Sequence, residues 1–221
     1  MEGFTKVYIN LMFHINFIHH SKIKIICEGK TDPQHLYNYL RNTKEFNIRE
    51  FEIISFEKHL SSFSKPLKLS GGTGDLSNFI KLYSKIDKSS ITPKYPTILF
   101  VDNDTAGKSV FNTAKKTYPD YKEIELSTLN MRVAKFYKNI FIVQFKENYS
   151  GIEHLYNHEY MAIKINGKSL STSNEKINED KEYGKNVFFH KVIKPLGSKV
   201  DFSNFKILFL CFIEIYKLTN N

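Results

Sequence analysis

The feature of this sequence that most constrains its fold is a short apolar run that ends abruptly in acidic residues. The run Thr97–Val101 (TILFV) is apolar at nearly every position. Strands with this near-continuous pattern occupy the covered centre of a parallel sheet, whereas strands with one solvated face alternate apolar and polar residues. The segment Asp102-Asn103-Asp104 follows at once, and a helix is predicted from Ala106 to Thr117. The sequence thus predicts a buried strand that brings two acids to its carboxyl end.

The remaining elements alternate between strand and helix. Thr31 or Asp32 can cap a helix, and Pro33 suits its first turn. This order predicts an α/β, Rossmann-like fold with a mainly parallel sheet flanked by helices and a C-terminal helical extension. Strands are predicted at Lys22–Cys27, Phe51–Phe56 and Ile140–Phe145, and helical segments at Ser77–Ile86, Ile152–Asn157, Val187–Ile193 and Phe205–Leu218.

The chain is predicted to divide into three parts. Residues 1–20 form a helical lead-in, residues 21–160 the α/β domain, and residues 161–221 an insertion with the closing helices. Within the last part, residues 164–186 are polar and rich in Lys, Asn, Ser and Glu. We expect these residues to form a long, mobile loop or a hairpin.

The charge balance favours a polyanionic partner. Lys plus Arg number 32 and Asp plus Glu number 23, which gives a net charge of +9. Such an excess suits nucleic acid, because phosphate contacts release counterions. A surface rich in lysine can equally serve solubility alone, so charge by itself leaves both explanations open.

The apolar runs and the two cysteines indicate a cytoplasmic protein without a membrane span. The runs Val7–Ile18 and Ile207–Ile215 are too short to cross a bilayer, which needs ~20 apolar residues. Cys27 and Cys211 have no metal-ligand spacing and lie in apolar runs. We expect buried free thiols in a reducing compartment.

Three acids follow two predicted strands. Glu28 comes directly after the first strand, and Asp102 and Asp104 come directly after the third. Sites in open α/β sheets form at the carboxyl ends of strands, so these side chains are predicted to converge. Three hard oxygen donors suit Mg²⁺ or Mn²⁺. Any one of these acids alone is also an ordinary loop or cap residue; the repeated order of strand, acid, glycine and helix favours a site.

Two segments resemble the signature of the TOPRIM family. They are IICEGKTD (Ile25–Asp32) and ILFVDNDTAGKSVF (Ile98–Phe111). The TOPRIM signature places a Glu after the first strand and an Asp-x-Asp after a later one. The sequence is most similar to the C-terminal TOPRIM portion of retron reverse transcriptase–TOPRIM fusion proteins, which carry a similar EGKTD segment and a GGTG-type turn. The resemblance covers roughly residues 20–160, and no polymerase YxDD motif is present.

The resemblance implies a Mg²⁺- or Mn²⁺-dependent endonuclease with a TOPRIM fold. Glu28 would ligate a metal or act as general base, and Asp102 and Asp104 would hold one or two ions. Asp32 is implied as a further ligand. Glu153 resembles an acidic metal-binding position of the overcoming-lysogenization-defect nucleases, although a Glu at a helix start is also favoured by the helix dipole.

Three lysines are candidate phosphate contacts. Lys185 precedes a predicted helix and could steady the transition-state phosphate, or it is one exposed lysine among many. Lys30 and Lys108 flank the acids and could contact the substrate, either DNA or RNA. The resemblance further implies a role in antiviral defence, with a retron reverse transcriptase and its RNA–DNA as partners.

Two weaker patterns and two other functions stay open. Gly71, Gly72 and Gly74 could cradle a phosphate, but the segment lacks a P-loop ending, which favours a plain turn. His154 and His158 have the i, i+4 spacing of a metal pair, without a third ligand. The alternative functions are a non-catalytic module that binds nucleic acid or a partner polymerase, and an RNase similar to the ribosomal-RNA maturases.

Overall fold

A mainly parallel sheet forms the centre of the computed structural model, which describes residues 3–56, 67, 69, 72–86, 90–126, 130–146, 149–171 and 178–220. Four strands are short apolar runs that are covered on both faces, as near-continuous apolar patterns predict. The strands of this sheet are β1 (Ile23–Cys27), β2 (Phe51–Ser55), β3 (Thr97–Val101), β4 (Lys122–Ile124), β5 (Met131–Tyr137) and β6 (Ile140–Phe145).

The strand order in this sheet is β2-β1-β3-β6-β5-β4. Strands β2, β1, β3 and β6 are parallel, and β5 and β4 are added as antiparallel strands. On β1, Ile25 pairs with Ile53 of β2 on one side and with Ile98 of β3 on the other. The chain therefore leaves β1 in one direction for β2 and returns to its other side for β3. The predicted α/β fold with a mainly parallel sheet is confirmed.

Helices cover both faces of the sheet. Pro33 lies in the first turn of α2, as its missing N–H allows. The helix that follows β3 begins at Thr105, one residue before the predicted start. The helices are α1 (Gly3–Phe13, extended by a π-helical turn His14–Ile18), α2 (Asp32–Thr43), α3 (Thr73–Ile86), α4 (Thr105–Thr117), α5 (His158–Met161), α6 (Lys185–Phe188), α7 (Lys194–Leu196) and α8 (Lys206–Asn220).

Short helical turns complete the chain. A π-helical turn (Phe189–Ile193) joins α6 to α7, and four 3₁₀ turns lie at Ile48–Glu50, Ile152–Leu155, Gly197–Lys199 and Ser203–Phe205. No helix in the described ranges has the length and apolar character needed to cross a membrane.

The two faces of the sheet have separate hydrophobic cores. On one face, α2 and the C-terminal α8 pack against the sheet through residues such as Leu36 and Phe209. On the other face, α1, α3 and α4 pack through residues such as Phe17, Phe79 and Val110. Because both faces are covered, the functional groups must lie at the ends of the strands.

The predicted buried cysteines are confirmed. Cys27 and Cys211 are both free and buried, and burial raises the pKa of each thiol. A thiol held protonated is a poor nucleophile, so neither cysteine is suited to reactive chemistry.

Two parts of the structure differ from the sequence prediction. Strands β4 and β5 were not predicted, although Met131, Val133 and Phe136 are buried while Arg132 and Lys135 between them are less so. In residues 164–186, for which a long loop or a hairpin was predicted, the short strands β7 (Ser169–Leu170) and β8 (Glu182–Tyr183) were not predicted, and they pair in parallel.

The first turn of α4 lies very close to the end of β3. A Cβ atom added to Gly107 would lie 2.0 Å from the Asp102 carbonyl oxygen and 2.8 Å from Gln144 Nε2. The Gln144 side-chain amide also donates to that same carbonyl, at 2.9 Å. Only glycine permits this approach, which fixes the acidic loop between β3 and α4.

We predict that Gly107→Ala lowers the free energy of unfolding by about 2–3 kcal/mol, because overpacking forces the backbone to move. Urea denaturation measures the change. Gly74→Ala is the matched control, since a Cβ atom at this helical position meets no atom within 4 Å. Alanine there is expected to add about 0.5–1 kcal/mol by its helix propensity. Equal effects of the two substitutions would contradict the proposed close contact.

Candidate active site

The candidate site lies where β1 and β3 end beside each other. The Glu28 N–H donates to the Phe100 carbonyl at 3.2 Å, so the β1–β3 ladder continues to the residue that carries the first acid. The chain connections from these two strands leave in opposite directions, and crevices in α/β sheets form at such a switch point. The predicted convergence of the two acidic segments is therefore present.

Glu28 and Asp102 are in direct contact. The Asp102 N–H donates to Glu28 Oε2 at 3.2 Å. The pKa of Glu28 is raised to about 7, first of all by burial. The nearby negative charge of Asp102 also raises it, and this effect is larger than the opposing effect of the hydrogen bond from the Asp102 N–H. The Glu28 carboxyl can therefore exchange a proton near neutral pH.

Asp104 has a structural role at the start of α4. Its Oδ1 accepts from the Gly107 N–H at 2.6 Å, which is an N-cap contact.

The backbone carbonyl of Glu28 contacts the residue that precedes another helix, α3. It accepts a hydrogen bond from the Gly72 N–H at 3.3 Å. Gly72 has φ +81° and precedes α3, which begins at Thr73, so Gly74 lies in the first turn of the helix and not in the predicted turn. Gly71 lies outside the described residues.

Lys185 joins the C-terminal part of the chain to the acids. Its Nζ lies 2.9 Å from Asp102 Oδ2 and 3.2 Å from Glu153 Oε2. A Cβ atom on Gly151 would touch all three side chains at 3.1–3.2 Å, which shows how closely they converge. Burial alone would lower the pKa of Lys185, but the carboxylates of Glu153 and Asp102 raise it above its usual range. The ammonium group is therefore retained at all physiological pH values.

Glu153 and Asp32 are the most buried acids of the site. The Glu153 side chain is 4% exposed, and its Oε1 has no hydrogen-bond partner among the described residues. Asp32 Oδ2 accepts from the Gly29 N–H at 2.9 Å. Burial raises the pKa of both carboxyls, that of Asp32 to about 8, and the Asp102 charge adds to the effect. The site thus holds more carboxyl groups than its single ammonium ion compensates.

A buried histidine, missed from sequence, ties these segments together. His35 Nδ1 is hydrogen-bonded to the Tyr156 hydroxyl at 2.8 Å, and its ring lies 4.7 Å from that of Phe189. His35 lies one turn after Asp32, Tyr156 three residues after Glu153, and Phe189 one turn after Lys185. Burial lowers the pKa of His35 to about 3. The only sequence signal was a lone His on an apolar helix face.

The other predicted cations lie at the surface around the site. Lys30 is exposed at the turn between β1 and α2. Lys108 lines an open pocket of about 570 Å³ behind the acidic loop. Two further cations, Arg132 and Lys146, line the same pocket, and Arg132 is held by Glu123 at 2.6 Å. Lys108 and Lys146 therefore add positive charge to this pocket.

The two histidines with i, i+4 spacing do not share a helix face. His154 lies in a 3₁₀ turn, where its Nδ1 is 3.1 Å from Ser150 Oγ, and His158 begins the separate helix α5. Nothing in this geometry brings both imidazoles to one point.

The donor set suits a hard divalent cation in its chemistry. Carboxylate oxygens are the ligands that Mg²⁺ prefers. The pKa values of Glu28 and Asp32 are raised first by burial and then by the neighbouring Asp102 charge. The spacing of these carboxylates, in contrast, does not match a metal site. Within the part of the chain that the structure describes, no group of three or more His, Cys, Asp or Glu residues is arranged to hold a metal ion. Lys185 lies between two of the acids instead.

No protein-family model matches the chain, and no solved structure matches it.

We predict that Lys185→Met lowers the free energy of unfolding at pH 8 by about 1–3 kcal/mol, between the values for exposed and buried ion pairs. The loss is expected to be smaller at pH 5, because the raised pKa of Glu153 favours protonation of its carboxyl as the pH falls, and a neutral carboxyl gains less from the ammonium. Lys206→Met is the control. Its partner Glu45 lies at the same 2.9 Å, but both side chains are exposed. A loss that does not depend on pH would argue against the buried pair.

We predict that His35 weakens the fold in acid. The unfolded histidine protonates near pH 6.5 and the folded one only near 3, so stability is lost as the pH falls between these values. The loss amounts to ~1.4 kcal/mol per pH unit at most. Glu28 and Asp32 act in the opposite sense, since their raised pKa values favour the folded state in acid. The difference between wild type and His35→Leu isolates the histidine, and urea unfolding from pH 7.5 to 5 measures it. Parallel curves would contradict a buried neutral imidazole.

Proposed function

We propose that this chain is a metal-dependent hydrolase of nucleic-acid phosphodiester bonds. The observation that supports the proposal best is the convergence of Glu28 and Asp102 at the ends of two adjacent parallel strands, with Lys185 bound to Asp102 at 2.9 Å. Acids and a charged ammonium in one crevice are the groups that phosphoryl chemistry uses. The basic pocket behind the acidic loop supports a polyanionic substrate.

The protein's own side chains have separable roles in this proposal. Lys185 would place a positive charge beside the non-bridging oxygens of the reacting phosphate, where negative charge develops. Its contacts with Asp102 and Glu153 restrict its position, so little reorganisation is needed. If Glu28 does not ligate the metal, it would act as the general base, since its pKa of about 7 lets the carboxyl exchange a proton.

Mg²⁺ or Mn²⁺ is the cofactor that the donor set favours. Glu28, Asp102 and Asp104 would hold it, with Asp32 and Glu153 as further acids. When bound, such an ion lowers the pKa of water and polarises the phosphoryl oxygen. The unpartnered Glu153 Oε1 and the raised pKa of Asp32 support a place for additional positive charge.

A second candidate is a non-catalytic module that binds nucleic acid or a polymerase. It is favoured because two of the acids already make contacts that stabilise the fold. Asp104 caps α4, and Asp102 is paired with Lys185. In this case the acids stabilise the fold, and the basic surface binds the partner. Either candidate function is compatible with association with a retron reverse transcriptase and its RNA–DNA.

We predict that Asp102→Asn and Glu28→Gln each reduce metal-dependent cleavage by at least ~100-fold, because a catalytic metal supplies several kcal/mol. The assay incubates the protein with single- and double-stranded DNA and with RNA, in Mg²⁺, Mn²⁺ or EDTA. We also expect Mg²⁺ to raise the melting temperature of the wild type. This shift should disappear in Asp102→Asn, which gives a measure of binding that does not depend on activity.

The control is Asp120→Asn, an exposed acid in the turn after α4 that should change neither cleavage nor the Mg²⁺ shift. Cleavage that persists in EDTA, or in both site variants, would contradict the proposed hydrolase. Salt-sensitive binding without cleavage of any substrate would favour the non-catalytic module.

A further inference from the structure

A second pocket lies along α2, the helix that begins at Asp32. It has a volume of about 360 Å³, within the range of pockets that bind small ligands. We call it the α2 pocket. It is lined by Pro33, Gln34, Tyr37, Asn38, Arg41, Phe189 and Lys194.

The α2 pocket and the candidate active site are built on the same two segments. On α2, the lining residues Gln34, Tyr37, Asn38 and Arg41 share one helix face, and Asp32 begins the same helix. On the opposite wall, Phe189 lies one turn beyond Lys185, which contacts Asp102. The elements that position residues of the candidate site therefore also form the pocket.

The lining combines flat aromatic surface with positive charge. Tyr37 presents its ring with the hydroxyl fixed, since the hydroxyl accepts from the Ile53 N–H at 3.0 Å. The Arg41 guanidinium lies 5.6 Å from the centre of the same ring. Neither Arg41 nor Lys194 has a carboxylate within salt-bridge distance in the described ranges of the chain, and both are exposed. None of the residues that line the pocket is acidic.

The pocket also contains a polar group that lacks a partner. Asn38 Oδ1 accepts from Asn42 Nδ2 at 3.0 Å, which fixes the orientation of the Asn38 amide. Its Nδ2 is buried without a hydrogen-bond partner among the described residues. A buried donor without a partner costs free energy. Asn and Gln side chains are also suited to the edges of nucleobases.

We propose that the α2 pocket receives one unpaired nucleotide of the substrate, its base against Tyr37 and its phosphate toward Arg41 and Lys194. Stacking on aromatic rings beside cations is how proteins hold single strands without sequence preference. A base that is paired and stacked in a duplex cannot enter the pocket, so the proposed substrate is single-stranded or frayed. It rests on the proposed function and adds the form of the nucleic acid.

The first test uses tryptophan as a reporter, because the chain contains none. Tyr37→Trp places an indole in the pocket, and Tyr95→Trp places one near the start of β3, at the opposite edge of the sheet. Both are titrated in EDTA, which prevents metal-dependent cleavage, with a single-stranded oligonucleotide and with an abasic oligonucleotide of equal length. We expect quenching only at position 37, and only by the oligonucleotide that carries bases.

The second test removes charge. Arg41→Gln/Lys194→Gln is compared with Lys22→Gln/Lys94→Gln, which removes two exposed charges near the amino ends of β1 and β3. If both pocket cations contact phosphates, the slope of log affinity against log salt should decrease by about 1.4 for a single strand. The control pair should leave the slope unchanged. This test does not depend on the tryptophan variants being folded.

The outcomes separate the two proposals. Quenching and a changed slope without any cleavage would uphold the pocket and overturn the hydrolase. Cleavage with equal slopes for both charge pairs, or equal quenching by the abasic strand, would overturn the pocket and leave the hydrolase. A wild type that neither binds nor cuts would overturn both.

Discussion

The parallel pairing of β1 with β3 is the constraint on which the rest of this structure depends. Both strands are buried on both faces, so every polar function they support must appear beyond their ends. Their registers place Cys27 opposite Phe100, and the ladder then continues to Glu28. Two acids far apart in sequence are thereby brought into contact by backbone hydrogen bonds alone. The close approach of Gly107 to the Asp102 carbonyl fixes the second acid from the other side.

The ion pairs of Lys185 add the C-terminal part of the chain to this centre. An ammonium ion in a half-buried position loses hydration, and here it is compensated by two carboxylates from different segments. The buried hydrogen bond between His35 and Tyr156 connects the same segments a few residues further on. Helix α2, the turn that carries Glu153 and helix α6 therefore cannot shift independently. Packing of Phe188 and Phe189 around the imidazole completes this arrangement.

The central elements could be predicted from sequence because their signals are local. The strands Thr97–Val101 and Ile140–Phe145 are continuous apolar runs, and their bounds were predicted correctly. Strand β5 was missed because its alternation is broken at Val133 and Ala134, which are adjacent and both buried. The convergence of Glu28 with Asp102 followed from a general rule for strand ends. The cap formed by Asp104 is also local, because it joins residues three apart. The hydrogen bond from Gln144 to the Asp102 carbonyl depends on where β6 meets the end of β3, and no local pattern encodes that distance.

The distribution of charge indicates that the two sides of the site have different roles. Lys185 contacts Asp102 and Glu153, which lie toward the C-terminal segment. The acids on the β1 side, Glu28 and Asp32, receive less compensation, and burial with the Asp102 charge raises their pKa values to about 7 and about 8. Additional positive charge would therefore stabilise Glu28 and Asp32 more than the two acids that the ammonium already contacts. In the proposed function, Glu28 and Asp102 would hold a divalent ion, while Lys185, which contacts Asp102, would supply positive charge to the reacting phosphate.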